Sequence, residues 1–279
     1  MNTAFRPLSI GELLDRSFSI YRQQFATFLV IAAVPSMFFF AGRILIGLLQ
    51  ANASDLTNTY SFFFRLPAPY MVAWLAFMIL NFILGVAAEG AMINAVAEIL
   101  MARQSSATQA FAAMRGKVAR AFGVYFTRTF LAGLALLLLI VPGVLLWLRW
   151  SIAVPVAVLE GTGVSDSCER SAFLTEDARG RIFLIMLVYV TIFYGLSFGL
   201  GFPLGVVRGM MAAGRGAAMV PLWYSLGILI SGVLVSILVT PIINIALTLQ
   251  YYDGRIRKEA FDLQLLIQHA SGAVEAASV

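Results

Sequence analysis

Two charged residues stand inside long apolar stretches, Glu89 in FILGVAAEGAMINAVAEIL and Arg149 in VPGVLLWLRWSIAVPVAVLEG. Charge in hydrocarbon is costly, so such a residue faces a partner or a water-filled cavity. Counting back from the expected inner ends of their helices, at Leu100 and Glu160, puts both about 16 Å from that boundary. We therefore expect a Glu89–Arg149 pair at one depth, with Asn81 and Asn94 on the same helix as Glu89 for polar neighbours. The pair is either a fastening between helices or a substrate site. Other chemistry is sparse. The chain has one histidine, His269, and one cysteine, Cys168, and no glycine loop followed by lysine that would cradle a phosphate. No catalytic residue, cofactor or metal site is expected from such a set. The lone cysteine excludes an intramolecular disulfide and reads as a packing residue.

The elements that must position these charges are membrane helices. Apolar residues make up 61% of 279, and the mean hydropathy is +0.90, too apolar for a water-facing globule. A helix needs roughly 20 apolar residues to cross the hydrocarbon core. Six segments meet or approach that length, at about 25–49, 70–100, 122–141, 144–159, 182–207 and 221–250. Pro142 and Gly143 separate the third from the fourth and predict a hairpin turn at the membrane surface. The expected fold is all-α, integral to the membrane, with residues 1–262 as one polytopic domain and 263–279 as an amphipathic to disordered tail.

Basic residues give the orientation. Arg16 and Arg22 precede the first span, Lys117, Arg120 and Arg128 sit around the start of the third, Arg179 and Arg181 precede the fifth, and Arg255, Arg257 and Lys258 follow the sixth. The opposite connections hold only Arg65, Arg208 and Arg215. Both termini are thus expected inside, with these cations meeting anionic headgroups on the cytoplasmic face. Arg43, near the outer end of the first span, is expected to snorkel to headgroups.

Between the termini and the spans lie amphipathic segments. In LSIGELLDRSFSIYRQQF, Ser9 and Glu12 have capping-box spacing, and Ile10, Leu13, Leu14, Phe18, Tyr21 and Phe25 form an apolar face, predicting an interfacial helix over 9–24 on the inner leaflet. Segments 106–122 and 167–183 have the same length, each running from a serine to a phenylalanine that opens a span. The pattern suggests three repeated units of an interfacial helix and a helix pair. Gly195, Gly199, Gly201 and Gly205 have small-xxx-small spacing and are expected to pack against a neighbouring helix. The connection 51–69 reads as an interfacial segment.

The net charge of +5 is spread over segments beside lipid, so it calls for no nucleic acid. Taken together, GELLDRSFSIYRQQF, VPGVLLWLRWSIAVPVAVLEG with CERSAFLT, and LQYYDGRIRKEAFDLQLL resemble a bacterial multi-pass family, the glycerophosphoryl diester phosphodiesterase membrane domain. The resemblance covers nearly the whole chain. It implies a stand-alone membrane domain in the bacterial cytoplasmic membrane, with no soluble phosphodiesterase domain and so no catalysis carried over. Three readings follow: a non-catalytic protein that organises lipid or a membrane or cytoplasmic partner, a transporter or channel using the Glu/Arg site, and an accessory or enzyme domain of glycerophospholipid metabolism.

Overall fold

The computed structural model describes residues 7–50, 68–215 and 222–260; the stretch 51–67, the tail 263–279 and His269 lie outside them. The described residues form α1 (Ile10–Gln23), α2 (Phe25–Gln50), α3 (Ala68–Leu100), α4 (Ala107–Ala112), α5 (Val118–Leu138), α6 (Ile140–Arg149), α7 (Ala153–Leu159), α8 (Val164–Thr175), α9 (Arg179–Arg215) and α10 (Leu222–Glu259). Six helical stretches are long and apolar enough to cross a membrane, α6 and α7 together making one of them. Around the bundle α2, α3, α5, α6, α9 and α10 each pack on the next, and α10 closes the ring on α2.

The ring is solid at one end and open in texture at the other. Phe28, Ile31, Met92, Ile93, Ile152, Leu174, Ile182, Ile245 and Tyr251 form a core at the end where α1, α7 and α8 gather, here called the base. Farther from it Val72, Leu75, Tyr194, Phe198 and Trp223 are exposed. Helices apolar on their outer face need lipid there.

Helix α1 starts as its sequence requires. Ser9 Oγ accepts from the Glu12 N–H at 3.3 Å, and the Ser9 N–H donates to Glu12 Oε2 at 2.8 Å, a cap that stabilises the helix by about 1 kcal/mol. Its expected position across the leaflet is corrected, because α1 stands lengthwise along α10. The Leu8 N–H donates to Asp253 Oδ1 at 2.7 Å, while Tyr21 Oη donates to the Leu238 carbonyl at 2.9 Å. Those two partners are separated along α10 by about 22 Å. The apolar stripe with Leu13, Ile20 and Tyr21 buried is matched by a helix partner, and only Gln24 interrupts the path into α2.

The three segments expected to be alike differ. Helix α4 has a capping box of Ser106 and Gln109 but spans 6 residues, and Gly116 at φ +77° then turns the chain out of helical geometry. Helix α8 begins after Gly163, so Ser167 is not its cap; it is buried, with its hydroxyl donating to the Gly163 carbonyl at 2.6 Å.

The hairpin turn is also corrected. The chain reverses at Leu139, φ −153° and ψ 126°, three residues before the expected break, and Pro142 and Gly143 sit in the first turn of α6. Proline is harmless there because a first-turn N–H has no helical acceptor. Gly143 is needed for contact, since a Cβ on it would lie 2.4 Å from the Leu136 backbone nitrogen. The expected fourth span is broken at 150–152 into α6 and α7. Among the described residues no neighbour comes within 4 Å of a Cβ placed on Gly195, Gly199, Gly201 or Gly205, so the helix packing expected of them is not found there. Helix α9 continues through Pro203.

Candidate functional site

The ring encloses a cavity of about 920 Å³. Most of its wall is apolar, from Phe39 and Phe82 to Met186, Leu229 and Ile243, with Glu89, Arg128, Arg43, Asn81, Tyr125 and Thr240 among the polar contributors. Wall residues come from α2, α3, α5, α6, α9 and α10, so the site belongs to the whole ring.

Arg128 is the charge at this site that the sequence reading misplaced. It is 9% exposed, sits inside α5, and donates through Nη1 to the Ser151 carbonyl at 3.3 Å. Its guanidinium carbon is 4.9 Å from the centre of the Tyr125 ring, and its Nε has no hydrogen-bond partner among the described residues. Glu89 faces the cavity from α3, and the positive charge that bears on it is that of Arg128. The two make no ion pair by contact.

The expected Glu89–Arg149 pair is therefore replaced. Arg149 reaches the expected depth, but its side chain is exposed and outside the cavity. Val144 and Leu148, one helical turn apart, face inward, which turns position 149 by about 100° away from the site. Its carbonyl accepts from Ser171 Oγ at 2.9 Å and Thr175 Oγ1 at 3.1 Å, tying α6 to α8. A signal for Arg128 was present in FTRTF, inside the expected third span, but proximity to Lys117 and Arg120 assigned it to the connection.

Asn81 lines the cavity and its Oδ1 has no hydrogen-bond partner among the described residues. Asn94 does not line it; its amide donates to the Gly90 carbonyl of its own helix at 3.0 Å. Arg43, expected to snorkel outward, is 5% exposed, lines the cavity and stacks 5.9 Å from the Trp74 ring centre.

Several cations expected to meet lipid are held inside the base. Asp253, 1% exposed, accepts from Arg181 and Arg257 at 2.8 Å each, and both arginines also donate to the Leu8 carbonyl. Arg170 bridges Glu160 and Glu259. Glu160 also accepts from Tyr251 Oη at 2.9 Å, and Arg255 pairs with Glu259. Lys258 binds the Phe173 carbonyl and Asp177, and Lys117 binds the Val158 carbonyl. Arg22 and Arg120 are exposed, while Arg16 and Arg179 are half-buried. Cys168 is buried in α8, where burial pushes its thiol up from the ordinary value and the Arg128 charge draws it down. No family model matches the chain, and comparison with curated proteins and solved structures yields no match.

Proposed function

We propose that this is a non-catalytic integral membrane protein of the bacterial cytoplasmic membrane, both termini cytoplasmic, that holds a lipid-like amphiphile inside its helix ring. The observation that carries this reading is the cavity, apolar along its wall and supplied with Glu89 and Arg128 near the base. An apolar cavity with few convergent polar groups suits a ligand that has a tail and a small polar head. Arg128 supports an anionic head because one of its buried donors has no partner among the described residues, and such a donor gains most from a charged acceptor. The resemblance to the glycerophosphoryl diester phosphodiesterase membrane domain favours a glycerophospholipid.

The test is native mass spectrometry of protein released from membranes in mild detergent. Lipid should stay bound to the parent protein, and Arg128→Gln should reduce the bound fraction about tenfold, as loss of a charged hydrogen bond worth about 1.4 kcal/mol would. Equal lipid retention by the parent and Arg128→Gln would reject the reading. A second reading, transport, is favoured by the presence of Arg43 and Arg128 on one cavity, Arg43 about 27 Å along α2 from Phe25 and Arg128 about 15 Å along α5 from Val118. Proteoliposomes containing headgroup-labelled lipid discriminate: bleaching by an impermeant reductant stops near half without transport and passes it with transport.

A further inference from the structure

Carboxylates buried at the base are matched by arginine. Asp253 holds Arg181 and Arg257, while Glu160 and Glu259 share Arg170. Glu89 is different. It is half-buried and lines the cavity, and the Arg128 charge bears on it without a hydrogen bond or ion pair to its carboxylate among the described residues. An ionised carboxylate inside a membrane protein demands a positive counterpart.

The polar groups around it are engaged elsewhere. Asn94 donates its amide to the Gly90 carbonyl at 3.0 Å, and Asn244 donates to Met92 Sδ at 3.2 Å. Thr240 bonds with Tyr189, and Tyr125 with Arg128. Arg128 commits Nη1 to the Ser151 carbonyl and keeps Nε without a partner among the described residues. Arg43 belongs to another level, because it stacks on Trp74, which stands about 22 Å along α3 from Glu89.

Glu89 and Arg128 thus present opposite charges to one cavity without touching each other. Both bear on the Tyr125 hydroxyl, so they share one locality of the wall. Two separated charges of opposite sign are the complement of a zwitterion, and hydrogen bonds between charged groups are the strong ones. A head that carries only negative charge satisfies Arg128 and sets itself against Glu89, which is discrimination by repulsion. We propose that the ring holds a phospholipid whose head pairs a phosphate with Arg128 and a primary ammonium with Glu89, the chemistry of phosphatidylethanolamine. This rests on the reading of the cavity as a lipid site and adds the headgroup class to it. The ammonium supplies the N–H donors that the Glu89 carboxylate lacks. An oxygen and two carbons join it to the phosphate, so one small head serves both charges.

The test is native mass spectrometry of the full-length, delipidated protein in mild detergent, offered phosphatidylethanolamine and phosphatidylglycerol of identical chains in equal amounts. Ammonium acetate at about 0.5 M screens lipid from the outer cations. The parent should retain phosphatidylethanolamine about tenfold over phosphatidylglycerol, as one charged hydrogen bond provides; equal retention, or more phosphatidylglycerol, overturns the assignment of the head. Glu89→Gln should bring the two lipids to equal retention, and an ethanolamine preference that survives it overturns the role of Glu89. The comparison on the parent needs no variant, so it assigns the head even where Glu89→Gln does not assemble. Glycerophosphoethanolamine, the same head without chains, should displace less than about a tenth of the bound lipid at equal concentration, because burial of the chains holds the lipid in place. Full displacement would overturn the lipid as the source of the head. A parent that retains neither lipid fails as a lipid-binding protein altogether, whereas one that retains phosphatidylglycerol best fails the headgroup assignment alone.

Discussion

At the scale of single residues the site turns on which arginine faces inward. Arg128 and Arg149 stand at similar depth on antiparallel helices, yet one is 9% exposed and the other lies outside the cavity. Composition and depth were legible: an acid and a base at mid-helix belong to one level. Facing was not, because Arg149 closes a short α6 whose phase is fixed by the reversal at Leu139, and that reversal depends on the contact of Gly143 with Leu136. The burial of Arg43 was hidden for a different reason, because it depends on the seating of α2 against Trp74 of α3. Arg128→Gln should destabilise the detergent-solubilised protein by about 2 kcal/mol, the scale of a charged hydrogen bond. Arg149→Gln should stay within about 0.5 kcal/mol, as exposed substitutions do. Denaturation in a graded detergent series measures both, and equal losses would contradict the assignment of the inward charge. In Glu89→Gln/Arg128→Gln the cost should be less than the sum of the single costs, because removing one charge relieves the other of its demand for a counterpart.

Among elements, the hairpin depends on close approach and α1 on a match of stripes. Periodicity made the existence of both readable. It left open what each apolar face meets, since an amphipathic helix serves a lipid surface or a helix neighbour equally well. For α1 the answer is α10, fixed at its ends by Leu8 on Asp253 and Tyr21 on Leu238. The three serine-to-phenylalanine segments had equal lengths in sequence but gave helices of 14, 6 and 12 residues, because Gly116 ends one early and Gly163 begins another early. For the hairpin the decisive residue is Gly143. Adding one methyl there places carbon 2.4 Å from the Leu136 nitrogen and 2.5 Å from its Cα, and backbone cannot swing aside as a side chain can. Gly143→Ala should therefore cost about 1–3 kcal/mol, the range for overpacking, while Gly133→Ala, which has open space at its Cβ, should be neutral or slightly stabilising through helix propensity. Thermal unfolding of the two variants side by side measures the difference, and a Gly143→Ala protein as stable as the parent would mean that the helices do not approach so closely.

For the whole molecule, the base joins the first and last described segments, and its stability depends on one carboxylate. Asp253 accepts from the Leu8 N–H, Arg181 and Arg257, while both arginines also reach the Leu8 carbonyl. The two described ends of the chain therefore lie on one face of the bundle, an arrangement the even number of expected spans already required. Which partner each cation takes was not legible, because the bias of lysine and arginine toward one side is the same whether a charge meets headgroups or a buried aspartate. Removing the carboxylate leaves two guanidinium groups facing each other beside a single carbonyl. Loss of one partner from a buried charge cluster costs about 3 kcal/mol. That cost falls on the contact between the start of α1 and the end of α10, since the ring above the base is packed by other residues. Asp253→Ala should consequently free α1 while the spans stay assembled, and trypsin should cut after Arg16 and Arg22 at least about tenfold faster if even half of that free energy goes into local opening. Asp253→Asn, which keeps an acceptor oxygen of the same shape, should fall between the parent and Asp253→Ala. Equal cleavage rates in all three proteins would show that α1 is held by its apolar stripe alone, with Leu13, Ile20 and Tyr21 sufficient to keep it on α10.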